Sequence, residues 1–138
     1  MSTQTASAPA SKAARARHLA SRCERAREAF DRFQVRHERA CGLAESTLPR
    51  EEAYRVSRRW DLLFGRYLDR LLNAEQALAR HVIQATGAPV PGPGDAPRMF
   101  PSPAIRVDGI LWALVFSDEC QPFRVRPVRI DLAGAVES

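Results

Sequence analysis

The sequence predicts an α+β fold: a long antiparallel helical hairpin, a proline-rich linker and a small three-stranded antiparallel β-meander. Three observations predict it. Apolar residues recur at steps of three and four between Lys12 and Gly87, six prolines fall between Ala88 and Pro103, and from Ile105 onward the apolar period drops to two. The expected boundaries are 1–11 for a disordered tail, 12–87 for the hairpin, 88–103 for the linker, 104–132 for the meander and 133–138 for a frayed end.

The first eleven residues are Ser, Thr, Ala, Gln and Pro9 around a single Met, too little apolar surface to offset the entropy of ordering them. No acid precedes Glu24, as in a transit peptide, but the segment lacks a hydrophobic region and a cleavage pattern. From Lys12 to Ala44 the seam Ala16, Leu19, Cys23, Ala26, Phe30, Phe33, His37, Ala40 and Ala44 alternates steps of three and four, the spacing of a helix packed on another at a coiled-coil angle. Gly42 is its first breaker. The turn Glu45-Ser46-Thr47-Leu48-Pro49 offers Ser46 or Thr47 as a cap, Pro49 for the first helical turn, and Glu51 and Glu52 against the positive end of the dipole. So short a connection forces the two helices antiparallel.

The second helix carries the largest apolar side chains on one stripe, running from Ala53 through Val56, Trp60, Leu63, Phe64, Tyr67, Leu71, Ala74 and Leu78 to Val82. Gly87 ends it with a left-handed cap. A second stripe, Leu68, Leu72, Ala79 and Ile83, lies about 100° round the axis. One partner helix cannot cover both stripes, so the meander or another subunit must. The prolines and glycines of 88–103 exclude helix and ladder alike, and the segment reads as a linker rather than a polyproline ligand.

Beyond the linker, Asp108-Gly109 supplies the positive φ angles of a type I′ turn between Ile105-Arg106-Val107 and the strand from Ile110. A two-residue loop pairs Val107 with Ile110 and Ile105 with Trp112, which puts Ile105, Val107, Ile110, Trp112, Leu114 and Phe116 on one face. Leu111, Ala113 and Val115 make the opposite face apolar too, so this strand is central. Residues 117–122 form the next turn, and a third strand follows with Phe123 and Val125 opposite Arg124 and Arg126. At Pro127 the apolar parity changes to Val128, Ile130 and Leu132, which predicts a bulge or bend on an edge strand.

Charge is unevenly placed. Nine of the bases and only four acids lie up to Arg39, while the rest of the chain is balanced, so the net charge of +5 belongs to the first third. The first helix carries Arg15, His18, Arg22, Arg25, Arg32, Arg36 and Arg39 on a single row about 36 Å long, with Ala29 the one interruption. Such a row can lie along a phosphate backbone. Against that reading, no aromatic residue is interleaved for base stacking, no DNA-docking motif is present, and Glu28 stands at pairing distance from Arg32. The use of Arg for Lys throughout, with Lys12 the single exception, and the abundant Ala point to the coding bias of a GC-rich bacterial genome.

No catalytic, metal or cofactor site is expected. His37 and Cys41 are the one Cys–His pair at helical spacing, without an orienting carboxylate on their helix or oxyanion donors. Cys120 stands beside Asp118 and Glu119, whose charge disfavours its thiolate. His18, His37 and His81 are scattered, as are Asp61, Asp69 and Glu75. Cys23, Cys41 and Cys120 form no C-x-x-C pair, which favours a reducing, cytoplasmic setting. No run of about 18 apolar residues could span a bilayer. The expected function is a non-enzymatic interaction or assembly module, a homodimer or a subunit with a protein partner, using Leu68, Leu72, Ile83, Leu111, Trp112 and Val115 as interface. The alternative is a nucleic-acid-binding accessory protein using the arginine row. Under a dimer, the bare sheet face is covered by the partner; under a monomer, Met99 and Phe100 fold back over it.

Overall fold

The structure is a computed structural model that describes residues 8–92, 94–95, 100–117 and 124–130. In chain order it holds α1 (Ala8–Thr47), α2 (Arg50–Thr86), β1 (Ala104–Val107), β2 (Ile110–Ser117) and β3 (Arg124–Ile130). The helices lie in close contact as a hairpin, and the strands form one antiparallel sheet in the order β1-β2-β3. This is the α+β architecture that the change of apolar period predicts.

α1 is longer than its seam requires. It opens at Ala8 rather than Lys12, with Pro9 in the first turn, where a missing amide costs nothing. The expected tail thus loses residues 8–11 to the helix, and the rest of it, 1–7, lies outside the described residues. Gly42 does not end the helix either, since an exposed glycine costs only about 1 kcal/mol against alanine and the seam continues to a buried Ala44. The connection is therefore just Leu48 and Pro49. Ser46 and Thr47 do not cap α2: both hydroxyls donate back to the Leu43 carbonyl, at 3.1 and 2.6 Å, satisfying the end of α1. α2 starts with the Ala53 amide donating to the Pro49 carbonyl at 2.9 Å, and Glu51 and Glu52 fill its first turn. It ends at Gly87, whose φ of 65° and 2.8 Å bond to the Ile83 carbonyl make the expected left-handed cap.

The chain forms two compact units, one of Arg22–Ala74 and one of Met1–Ser21 with Glu75–Ser138. The first is the part of the hairpin nearest the turn. Its centre is Phe33, 4% exposed, stacked on Tyr67 with ring centroids 4.4 Å apart and tilted against Trp60 at 5.6 Å. Phe30 meets Phe64 at 5.4 Å. Alanines on both helices, Ala26 and Ala44 on α1 and Ala53 and Ala74 on α2, are buried and permit close approach of the backbones.

In the second unit the helical segments bury Ala16, Leu19 and Ala20 from α1 and Leu78, Ala79 and Val82 from α2. The sheet adds Val107, Trp112, Leu114 and Pro127. Asp108 and Gly109 take φ values of 49° and 78°, and the strands pair Val107 with Ile110 and Ile105 with Trp112, as a type I′ turn requires. Two ion pairs tie sheet to helices, Arg17 Nε to Asp108 Oδ1 and Arg126 Nε to Glu75 Oε2, each at 3.5 Å.

β3 corrects the sequence reading. Its register against β2 is unbroken from Leu111–Ile130 to Ser117–Arg124, with no bulge or bend at Pro127. The reason lies in β2: the Leu114 amide donates to the Pro103 carbonyl at 2.9 Å, on the β1 side. Leu114 and Pro127 are therefore a non-hydrogen-bonded pair, and the absent N–H of the proline faces the free edge, where no ladder bond is lost. In this register Pro127 shares the face of Leu114, and Val128 and Ile130 share that of Ala113 and Leu111. Phe123 and Leu132 lie outside the described residues.

The linker is also less loose than its composition suggests. Its last residues follow β2, with the Ser102 hydroxyl donating to the Leu114 carbonyl at 2.7 Å and Phe100 edge-on to Phe116 at 6.3 Å. Phe100 thus lies on the Trp112 side of the sheet; Met99 is outside the described residues. Upstream, Asp95 closes a small turn, its carboxylate accepting from the Gly92 amide at 2.8 Å.

Because Phe33 is buried and Phe30 half-buried, Phe33→Ala should cost about 3 to 4 kcal/mol and Phe30→Ala about half as much, read as the shift in urea unfolding free energy. Equal and negligible losses would show that the helices do not meet along this seam.

Candidate functional site

The hairpin unit sorts its charges by flank. On α1, Arg22, Arg25, Arg32, Arg36 and Arg39 are exposed along one side of the seam, while Glu24, Asp31, Glu38 and Glu45 follow the other side, with Gln34 and Cys41. A contact across the helices fixes how α2 matches these flanks. Asp61 Oδ1 lies 3.0 Å from His37 Nε2, and Cys41 Sγ lies 3.9 Å from the same nitrogen. The Asp61 side of α2 therefore adjoins the acidic flank of α1. Arg59, Arg66 and Arg70 stand roughly 140–180° round α2 from Asp61, at about 100° per residue, and so adjoin the arginine flank. All three are exposed.

Two helices thus build one arginine face. Among the described residues, no ion pair engages Arg22, Arg25, Arg32, Arg36 or Arg39, and Glu28 makes none with Arg32. The i,i+4 pairing expected there is not formed. Arg70 places its guanidinium 5.9 Å from the centre of the Tyr67 ring, a cation–π contact at the border between face and seam. Arg15 and His18, the remaining members of the row read from the sequence, are exposed on α1 in the other unit.

His37, Cys41 and Asp61 have the composition of a nucleophile, base and orienting carboxylate but not the geometry. A relay needs the thiol and the carboxylate on different ring nitrogens. Here both partners address Nε2, so a ring N–H donated to Asp61 cannot also accept the thiol proton. His37 instead belongs to the aromatic seam, 5.3 Å from Phe64 and edge-on to Trp60 at 6.4 Å. Asp61 was not legible from α1 alone, because it comes from the facing helix. The signal was the short turn: His37 and Asp61 stand at nearly equal distances from Leu48 and Pro49, and the same rule would have joined Arg59, Arg66 and Arg70 to the basic row.

The residues read as interface are distributed over both units. In the hairpin unit Leu68 and Leu72 are half-buried and share the Asp61 flank of α2, at steps of four and three through Gly65. In the other unit Ile83 and Leu111 are half-buried, Val115 is 47% exposed, and Trp112, at 3%, is occupied within its own chain. Glu75 is a buried carboxylate that the second stripe concealed, since it falls between Leu72 and Ala79 at the same spacing. The outward surfaces of the hairpin also expose Val35 and Leu62, at 59 and 68%.

Among the described residues no group of three or more His, Cys, Asp or Glu is placed to hold a metal ion, and no helix is long and apolar enough to cross a membrane. Comparison of the chain with known protein families, with curated proteins and with solved structures finds no match.

The Asp61 side chain is 68% exposed, so its contact with His37 is an ordinary surface pair. Asp61→Ala should lower the unfolding free energy by less than about 1 kcal/mol, and Cys41→Ser should leave the melting temperature nearly unchanged. A loss of several kcal/mol from either, measured by chemical denaturation, would give the cluster a structural weight that its exposure does not.

Proposed function

We propose that the chain is a non-enzymatic assembly module whose hairpin unit pairs with a second copy to form a four-helix bundle. The observation that carries this reading is the incomplete burial of the aromatic seam. Of its rings only Phe33 is buried, while Phe30, His37, Trp60, Phe64 and Tyr67 all remain half-buried. Two helices can cover each other along one line, and large side chains on that line still open to both flanks. A second hairpin laid over one flank closes it.

The flank that favours such closure is the one carrying Tyr54, Leu68 and Leu72. Tyr54 is 65% exposed there, and Gly65 has open space around it, which lets a partner backbone come close. This flank mixes its acids with Arg27 and Arg50 and so meets a copy with both signs of charge, whereas the arginine flank is dominated by cations and stays outward. A two-fold dimer of this kind removes apolar surface from water at about 25 cal/mol per Å², on both subunits at once. That Cys23 and Cys41 are not joined in a disulfide fits a reducing compartment, the cytoplasm.

Sedimentation of the intact chain at micromolar concentration tests the reading. The expected result is a species of twice 15.4 kDa that Leu72→Asp converts to monomer, because the aspartate would be buried against apolar side chains of the partner. A species of 15.4 kDa at every concentration would overturn it.

A further inference from the structure

We infer that the arginine face of the hairpin is a docking surface for double-stranded nucleic acid, held by its phosphates without reading of the bases. The inference stands apart from the dimer proposed above, since the two use opposite flanks. Charge complementarity carries it. The α1 row from Arg22 to Arg39 runs about 25 Å at ~1.5 Å per residue. Beside it, α2 adds Arg59, Arg66 and Arg70 on an axis about 8–10 Å away. Glu24, Asp31, Glu38 and Glu45 of α1 lie on the other flank, and the acids nearest this face, Glu28 on α1 and Glu52 on α2, are outnumbered by its eight arginines.

Three features select the occupant. First, every cation on the face is an arginine, whose planar fork meets phosphate oxygens through two donors at once, and the α1 arginines are not engaged in ion pairs among the described residues. Second, the cations form two roughly parallel rows rather than one. Two rows match the two phosphate strands that border a groove, where one charge recurs per ~1.7 Å of duplex axis. Third, the face offers no fully exposed ring on which an unpaired base could stack. Phe33 is buried, Phe30, Trp60, Phe64 and Tyr67 are half-buried with Tyr67 already in contact with Arg70, and the exposed Tyr54 is on the opposite flank. A single strand would find charge here without stacking, whereas a duplex needs only the charge.

The experiment is fluorescence anisotropy of the full chain with a labelled duplex DNA of arbitrary sequence at several salt concentrations. The expected result is sequence-independent binding that weakens by roughly 10²- to 10³-fold between ~50 and ~200 mM salt, the loss for about five phosphate contacts. Arg32→Ala, Arg36→Ala and, from the other helix, Arg66→Ala should each lower the log–log salt slope by about one unit. Arg27→Ala and Arg50→Ala, on the acidic flank, should leave the slope unchanged while far-UV circular dichroism stays the same for all five variants. Equal effects from the two sets would overturn the face in favour of bulk charge. Tighter binding to a single strand of the same sequence would overturn the duplex. No binding at ~50 mM salt would overturn the proposal outright, and capture of the chain by anionic vesicles in place of DNA would assign the face to a lipid surface instead.

Discussion

Leu48 and Pro49 are all that separates α1 from α2, and two helices joined by so little chain can run only side by side in opposite directions. That constraint does more than close a hairpin. It fixes the register, so that residues equally far from the turn meet, and it fixes the rotation, since the seam of each helix must face the other. Phe33 against Tyr67 and Trp60 follows from it, as do Phe30 against Phe64 and His37 beside Asp61. The separation of charge into a basic and an acidic flank follows as well, because a heptad helix with arginine on one side of its seam and carboxylates on the other cannot mix them once the seam is anchored.

A hairpin built this way is a half-finished object in energetic terms. Each helix buries one line of side chains, and the rings on that line are too large to be covered from one direction. The remainder of the chain answers the same problem differently. Where the sheet is available, the seam residues are small or aliphatic, and Leu78, Ala79 and Val82 are buried almost completely. In the other unit, between Arg22 and Ala74, the seam turns aromatic and stays half-open. Side-chain size along the two helices thus differs between the units, with aromatic rings holding the helix–helix contact where burial is incomplete.

Much of this was legible in the sequence. The Asp-Gly turn, the central position of β2, the left-handed Gly87 and the hairpin itself are local or periodic signals, and local signals survive folding well. Other readings failed where a partner outside the local window decided the outcome. Ser46 and Thr47 had two helix ends within reach and served the Leu43 carbonyl behind them. Pro127 was read as a bulge or bend on an edge strand, but the hydrogen-bond parity of β2, set by its contact with Pro103, determines which way a β3 nitrogen points. Arg59, Arg66 and Arg70 went unread beside the row on α1, because helical periodicity orders one helix at a time, whereas a face made by two helices is visible only through their register.

Pro127 has a further consequence for how the protein behaves in company. Among the described strands β3 is an edge, and the backbone groups that it turns outward belong to Val125, Pro127 and Arg129. An intruding strand seeking to extend the sheet would need a donor from the middle of these three and would find a ring instead. The flanking arginine adds charge to the same margin. Growth of the sheet by strand addition at the β3 edge, a first step toward fibrillar aggregation, is blocked at the centre of that edge by a residue that costs the native ladder nothing.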